Sequence, residues 1–238
     1  MNSYSVLAKY YDKLMGDFDY DSYVAFVKNN VSGEGVDLCC GTGKIAIALA
    51  SDCKMTGVDL SQDMLSVAMT NSKKMGKKVL WVNESVDEFR PMHQVDFVTC
   101  VCDGFNYLDD AQLQATLSNI TSYVKSGGKL IFDISSAYKL TEILGDNVFC
   151  EDYDDVTYIW NNTLSDDESS VEMQLSFFEP MGGDSYRRVD EEHAQYVHRA
   201  DQINNILQGE WDFEVVDAST MQAPTDESVR LVWIATRK

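Results

Sequence analysis

Apolar positions change their spacing twice along this chain, and each change marks a different kind of element. At the start, Val6-Leu7, Tyr10-Tyr11 and Leu14 recur at helical intervals, and Tyr20, Tyr23-Val24 and Val27 do so again after a break at Gly16-Asp17. Residues 1–31 therefore read as a helical segment. From there the pattern alternates. Compact apolar runs at 35–40, 55–59, 78–82, 95–102 and 129–134 predict buried strands, and residues 44–50, 61–75 and 109–125 predict helices between them. Ser61 suits the N-cap of the second of these helices, with Asp63 in its first turn. The third carries apolar residues at 113, 117, 120 and 124 and meets Ser126-Gly127-Gly128. Strands that alternate with helices need crossover connections, so the expected product is a parallel sheet covered on both faces.

After Cys150 the period shortens to two. Residues 156–164, 171–179 and 186–197 are rich in β-branched and aromatic side chains, and turn-forming stretches separate them (165–169 and 180–184). They predict an antiparallel insertion over residues 151–198, serving as a lid, a dimer surface or both. A short helix at 201–207 leads to strands at 213–217 and 229–236, a terminal antiparallel pair. With no repeat and no linker, residues 1–238 read as one domain.

Composition narrows the function more than the fold. The 238 residues are 45% hydrophobic and 24% charged, with a formal net charge of -20. So acidic a surface repels a polyanion, and the small basic clusters (Lys73-Lys74, Lys77-Lys78, Arg187-Arg188) do not reverse that; the charge argues against a nucleic-acid substrate. Absence of an apolar run of membrane-spanning length, and of a basic-then-apolar start, predicts a cytoplasmic protein without a membrane partner. Six cysteines and three histidines show no Cys-x-x-Cys pair and no zinc-ligand spacing, so no metal is expected, and the cysteines read as small core residues.

The sharpest local signal is a strand that ends in Asp37-Leu38-Cys39-Cys40-Gly41-Thr42-Gly43 and runs straight into a helix. Glycines here let a ligand approach the backbone at a helix N-terminus. Asp59 closes the next strand, where an acidic side chain accepts ribose hydroxyls. Both features also suit a nicotinamide dinucleotide, since Gly41-Thr42-Gly43-Lys44-Ile45-Ala46 fits G-x-G-x-x-A. Asp37 discriminates: a carboxylate beside the loop opposes a pyrophosphate but favours the ammonium and sulfonium of S-adenosylmethionine.

Asp37 to Gly43, together with Gly57-Val58-Asp59-Leu60-Ser61-Gln62-Asp63-Met64-Leu65, resembles the first two cofactor motifs of class I (Rossmann-like) S-adenosylmethionine-dependent methyltransferases. Tyr4-x-x-Leu7-Ala8-x-x-Tyr11-Asp12-x-Leu14-Met15 and Val101-Cys102-Asp103-Gly104-Phe105-Asn106-Tyr107-Leu108 resemble a branch of small bacterial members. The resemblance implies a Rossmann-like α/β fold: a seven-stranded, mostly parallel sheet of order 3-2-1-4-5-7-6, strand 7 antiparallel, helices on both faces, and the antiparallel insertion after strand 5. It also implies roles. Gly41 and Gly43 line the methionine part, Asp59 binds the ribose, and Leu60 packs on adenine. Ser85 and Val86 occupy the adenine-binding position, where Ser85 accepts without charge and Glu84 and Asp87 are nearby substitutes. Asp103 faces the methionine end or the acceptor, and Tyr11, in the segment 1–31, closes over the cofactor.

Methyl transfer from a sulfonium asks for placement more than for a reactive side chain. Aromatic faces such as Tyr4, Tyr11 and Tyr107 favour the sulfonium. An acceptor amine or hydroxyl must lose a proton, for which Asp103 and His193 are the candidate bases. Asn106 and Tyr107 orient the acceptor or cap and pack the next helix, while His93 and His198 have no context that lifts them above surface residues. The expected reaction is methylation of an N or O atom of a small molecule. The alternatives are a silent S-adenosylmethionine-binding or partner-docking protein and an NAD(P)-dependent oxidoreductase.

Overall fold

Seven strands line up in the order β3-β2-β1-β4-β5-β11-β10, and β11 alone runs against both of its neighbours. The computed structural model describes residues 6–16 and 18–238, so Tyr4 and Asp17 lie outside it. The sheet is built from β1 (Glu34–Leu38), β2 (Lys54–Asp59), β3 (Val79–Asn83), β4 (Val95–Cys100), β5 (Val124–Ser135), β10 (Trp211–Asp217) and β11 (Arg230–Arg237). The expected order and the antiparallel seventh strand are both observed.

Alternate side chains of each strand feed opposite faces. Val36, Leu38, Val98, Leu130, Phe132 and Trp233 form one core with α5 (Asp110–Tyr123) and α6 (Ala200–Leu207). Phe97, Ile131 and Val232 form the other with α2 (Tyr20–Asn30) and α3 (Lys44–Leu49). The helix ends follow the capping chemistry. Ser61 Oγ accepts from Met64 N at 3.2 Å to start α4 (Gln62–Lys74), and Asp109 with Gln112 forms a capping box on α5. Leu113, Leu117 and Ile120 are fully buried as their spacing requires. Val124 is buried too, but as the first residue of β5: the chain leaves α5 directly into the sheet and passes the glycine pair within an irregular start to β5, with a register shift between Val95 and Phe97.

The chain after β5 forms a π-helix (Lys139–Leu144) and then a second, antiparallel sheet β6-β7-β8-β9 (Val148–Tyr153, Val156–Leu164, Ser170–Gly182, Ser185–Tyr196). Val171, Met173, Leu175 and Phe177 form its inner face, against Leu140 and Leu144 and against α1 (Leu7–Leu14). β6 is a strand that the pattern does not predict. It lies at an edge and is mostly exposed, so it never needed an apolar alternation. Helix α1 packs between α4 and the second sheet. Glu191 of β9 accepts from Val6 N and Leu7 N at the helix start (2.5 and 3.4 Å), and Tyr10 donates to Glu179 of β8 (2.8 Å). At its other end Asp12 accepts from Thr42 Oγ1 (2.6 Å) on the glycine turn. Among the described residues no helix is long and apolar enough to cross a membrane.

Gly43 explains itself by packing. It is the left-handed cap of α3 at φ +80, and a Cβ there would stand 2.4 Å from the Trp81 ring of β3. Gly43→Ala is expected to cost about 1–3 kcal/mol through strain and overpacking, read as a drop in unfolding free energy by urea titration. A loss below a few tenths of a kcal/mol would mean that Trp81 swings away freely.

Candidate functional site

The carboxyl ends of β1, β2 and β4 open into one cleft of about 350 Å3, bounded above by Tyr11 of α1 and by the β9 stretch from Glu192 to Tyr196. That size is within the range of small-molecule sites, and the strand ends of an open α/β sheet are where such sites form. Tyr11, Gly41, Asp59, Leu60, Ser85, Val86, Asp103 and His193 all line it. Most of the residues singled out from the sequence therefore come together.

One end is organised by Asp59. Its carboxylate accepts from Gly41 N at 2.7 Å and from Ser61 N at 2.8 Å, which fixes the glycine turn against the end of β2. Burial pushes its carboxyl upward, and the Ser61 and Gly41 amides pull back. Each oxygen retains a lone pair, because a carboxylate offers about four acceptor sites. Asn83 donates to the carbonyls of Asp59 and Leu60 (3.0 and 2.8 Å), holding Leu60 out with 72% of its surface exposed. Gly41, at φ +51, has nothing within 4 Å of where a Cβ would stand; the space above it is open. Ser85 gives its hydroxyl proton to Asp87, so its remaining capacity is as an acceptor.

The other end is organised by strain. Five non-glycine residues among those described have positive φ, and three of them, Cys39, Cys102 and Asp103, line the cleft. Such backbone costs of order 1–3 kcal/mol per residue and persists where surroundings over-determine it. Here the surroundings are Asp133 of β5, which accepts from Cys102 N (3.0 Å), Asp103 N (2.7 Å) and Tyr23 Oη (2.5 Å) and pairs with Arg230 Nη1. Asp103 Oδ2 in turn accepts from Ser135 Oγ (2.6 Å) and Arg230 Nη2 (2.9 Å), with Lys139 Nζ at 3.5 Å. Burial alone would raise its carboxyl, but Arg230 and Lys139 outweigh it and hold it down at about 2.

Asp37 and Gly43 stand apart from the cleft. Asp37 lines a smaller void of about 40 Å3 behind the glycine turn, which shares Tyr11, Cys39, Gly41 and Cys102 with the main cleft. It is 2% exposed, accepts from Thr99 Oγ1 at 2.7 Å, and is pushed up to about 7 by burial. Gly43 lines neither space, and a Cβ built on it would point at the Trp81 ring.

The surroundings of three other residues bear on their roles. Asp103 is a poor proton acceptor, because two cations hold it ionised. His198 is not a surface residue: it is 1% exposed, with Nε2 at 2.9 Å from the Leu108 carbonyl and 3.3 Å from that of Phe105. Asn106 is a clamp, donating to the Ser135 and Tyr196 carbonyls (3.2 and 3.0 Å) and accepting from Ser135 N (2.9 Å). His193 is buried in the cleft wall, its ring edge-on to Tyr107 and Nε2 3.6 Å from Glu191. All six cysteines are free, and burial raises the thiols of Cys40 and Cys102, which disarms them as nucleophiles. The sequence reading missed Tyr23, Asp133, Lys139 and Arg230. One signal was present, a charged residue in the apolar run Leu130-Ile131-Phe132-Asp133-Ile134.

Comparison with known proteins shows the family. Residues 36–128 match the profile of a methyltransferase domain. A Geobacillus sp. (strain WCH70) protein that bears a methyltransferase name is 32% identical, with 98% of this chain and 99% of that protein covered. A Bacillus subtilis (strain 168) protein with a like name is 32% identical over 86% of this chain and 84% of its own. Among solved structures, an S-adenosylmethionine-dependent methyltransferase from Clostridium acetobutylicum ATCC 824 superposes with a TM-score of 0.87 at 32% identity, covering 98% of both chains. An amino pentose methyltransferase from Micromonospora echinaspora, solved with S-adenosylmethionine bound, shares the fold at a TM-score of 0.72 and 16% identity, covering 93% of both chains.

Proposed function

The chain belongs to the class I S-adenosylmethionine-dependent methyltransferases, and from that premise we propose that it methylates an N or O atom of a small molecule held between the 102–108 segment and β9. The observation that carries the small-molecule reading is that Glu192, His193 and Tyr196 of the second sheet line the same 350 Å3 cleft as Gly41 and Asp59. An acceptor beside the cofactor is thereby walled in by β9. When bound, the cofactor supplies an electrophilic methyl carbon on a sulfonium.

The residues present fit S-adenosylmethionine. Asp59 has acceptor capacity left for both ribose hydroxyls, exposed Leu60 and buried Val86 offer apolar surface to a base, and Ser85 accepts from its amino group. Gly41 leaves room where any side chain would block the cleft. Tyr11 covers the sulfonium end, where its ring face favours positive charge by about 0.5–2 kcal/mol. Asp103 stays ionised and takes the cofactor's ammonium, and Asp37 adds negative charge behind the turn. His193, whose ring lines the cleft edge-on to Tyr107, is the proton acceptor for the nucleophile.

Calorimetric titration tests the reading. Micromolar binding of S-adenosylmethionine and no binding of NADH is the expected outcome. NADH binding in its place would mean that the acidic loop tolerates a pyrophosphate and that the cleft serves hydride transfer.

A further inference from the structure

We propose that Asp133 and Tyr23 are positioning residues for the cofactor's amino-acid half: they lock the Cys102–Asp103 turn in the backbone conformation that presents Asp103 to the cofactor's ammonium. The inference rests on the methyltransferase reading above. Asp133 is fully buried within β5 and does not line the cleft. Its two oxygens receive four donors: Cys102 N (3.0 Å) and Tyr23 Oη (2.5 Å) on Oδ2, Asp103 N (2.7 Å) and Arg230 Nη1 on Oδ1. Four donors fill a carboxylate. Asp133 therefore has no capacity left for a ligand and acts only through the turn.

What it holds is a pair of consecutive non-glycine residues at φ +64 and +53, which would relax to ordinary backbone without those two amide bonds. The consequence appears at Asp103. Ser135, Arg230 and Lys139 all engage Oδ2, and Oδ1 accepts no hydrogen bond from the described residues. One oxygen is anchored and the other is left to a ligand in the cleft. Tyr23 brings α2 into the same network, and the Phe18 ring lies 5.4 Å from the Arg230 guanidinium carbon and 5.4 Å from the Tyr23 ring, shielding the ion pairs. A charge network sheltered in this way keeps its geometry, because a low local dielectric strengthens each bond.

The test compares two probes by calorimetry, S-adenosylmethionine and 5′-methylthioadenosine, which keeps the adenosine and sulfur but lacks the amino-acid portion. Asp133→Asn cannot accept from both amides, because one end of its side chain is itself a donor. It is expected to weaken S-adenosylmethionine by about tenfold or more while 5′-methylthioadenosine stays within about twofold. Tyr23→Phe, which leaves the carboxylate in place, should show the same selectivity at about threefold, and it carries the test if Asp133→Asn fails to fold. In a double-mutant cycle, Asp103→Asn should add little to the loss already caused by Asp133→Asn. Equal losses for both probes, or none for either, would overturn the inference, since a merely structural role cannot tell the two apart. Wild-type protein that binds 5′-methylthioadenosine but not S-adenosylmethionine would also overturn it. Wild type that binds neither brings down the methyltransferase reading itself.

Discussion

Asp59→Ala is expected to weaken S-adenosylmethionine binding by about 10- to 100-fold, the largest loss from any single side chain on the cleft's adenosine side. The magnitude follows from charge-assisted hydrogen bonds, worth about 1.5–3 kcal/mol each. Two effects combine. The variant removes the acceptor of the ribose hydroxyls, and it releases Gly41 N and Ser61 N, which Asp59 holds at 2.7 and 2.8 Å. Asp59→Asn separates them, because its one oxygen can keep a single amide and a single hydroxyl while the charge is lost. It should fall between wild type and Ala. Calorimetry gives the affinities, and thermal unfolding without ligand gives the share due to the freed turn. If Asp59→Ala binds within twofold of wild type, the ribose lies elsewhere and the assignment of the cleft's two ends is wrong.

Asp59 was legible because its signal is local: an acidic residue closing a strand, a fixed distance after a glycine turn, is a pattern that sequence spacing preserves. The seven-strand order was legible for the same kind of reason, since buried strands and crossover helices write different periods into the chain. β6 was not, because an exposed, acid-rich edge strand has no inner face to advertise. The network under Asp103 was hidden by distance along the chain. Asp133 meets Arg230 across 97 positions and Tyr23 across 110, and only the pairing of β5 with β11 and the packing of α2 bring them together. The close packing at Gly43 was hidden for a related reason. A glycine in a cofactor motif invites a ligand-facing role, and the ring that excludes a side chain there belongs to Trp81, two strands away in space and 38 residues on.

Asp37 leads to the second large expectation, in which the sign depends on pH. Burial raises its carboxyl to about 7; the Thr99 hydroxyl and the Ala46 amide pull the other way, and the nearby Asp59 charge pushes further up. An unfolded aspartate titrates near 3.9. A group raised on folding contributes stability below its unfolded value and loses it as pH climbs through the folded value, so the ligand-free protein surrenders on the order of 4 kcal/mol from this site between about pH 4 and pH 7. Asp103 acts with the opposite sign in a separate window: held down at about 2, it contributes stability above about pH 4 and loses it only in acid. Asp37→Asn, neutral throughout, should match or fall slightly below wild type at about pH 4 and exceed it by about 2–4 kcal/mol at pH 8 in urea unfolding. Cofactor binding should reverse the ranking. A cationic amino acid favours the ionised Asp37, so wild-type affinity for S-adenosylmethionine should climb as pH rises from 6 to 8, by at most about tenfold per unit, and the Asn variant should lose that climb. A buried carboxylate that destabilises the empty protein and strengthens the filled one trades stability for function at the glycine turn. If wild type and Asp37→Asn keep a constant stability difference from pH 5 to 8, Asp37 carries its charge at no cost and this account of the loop fails.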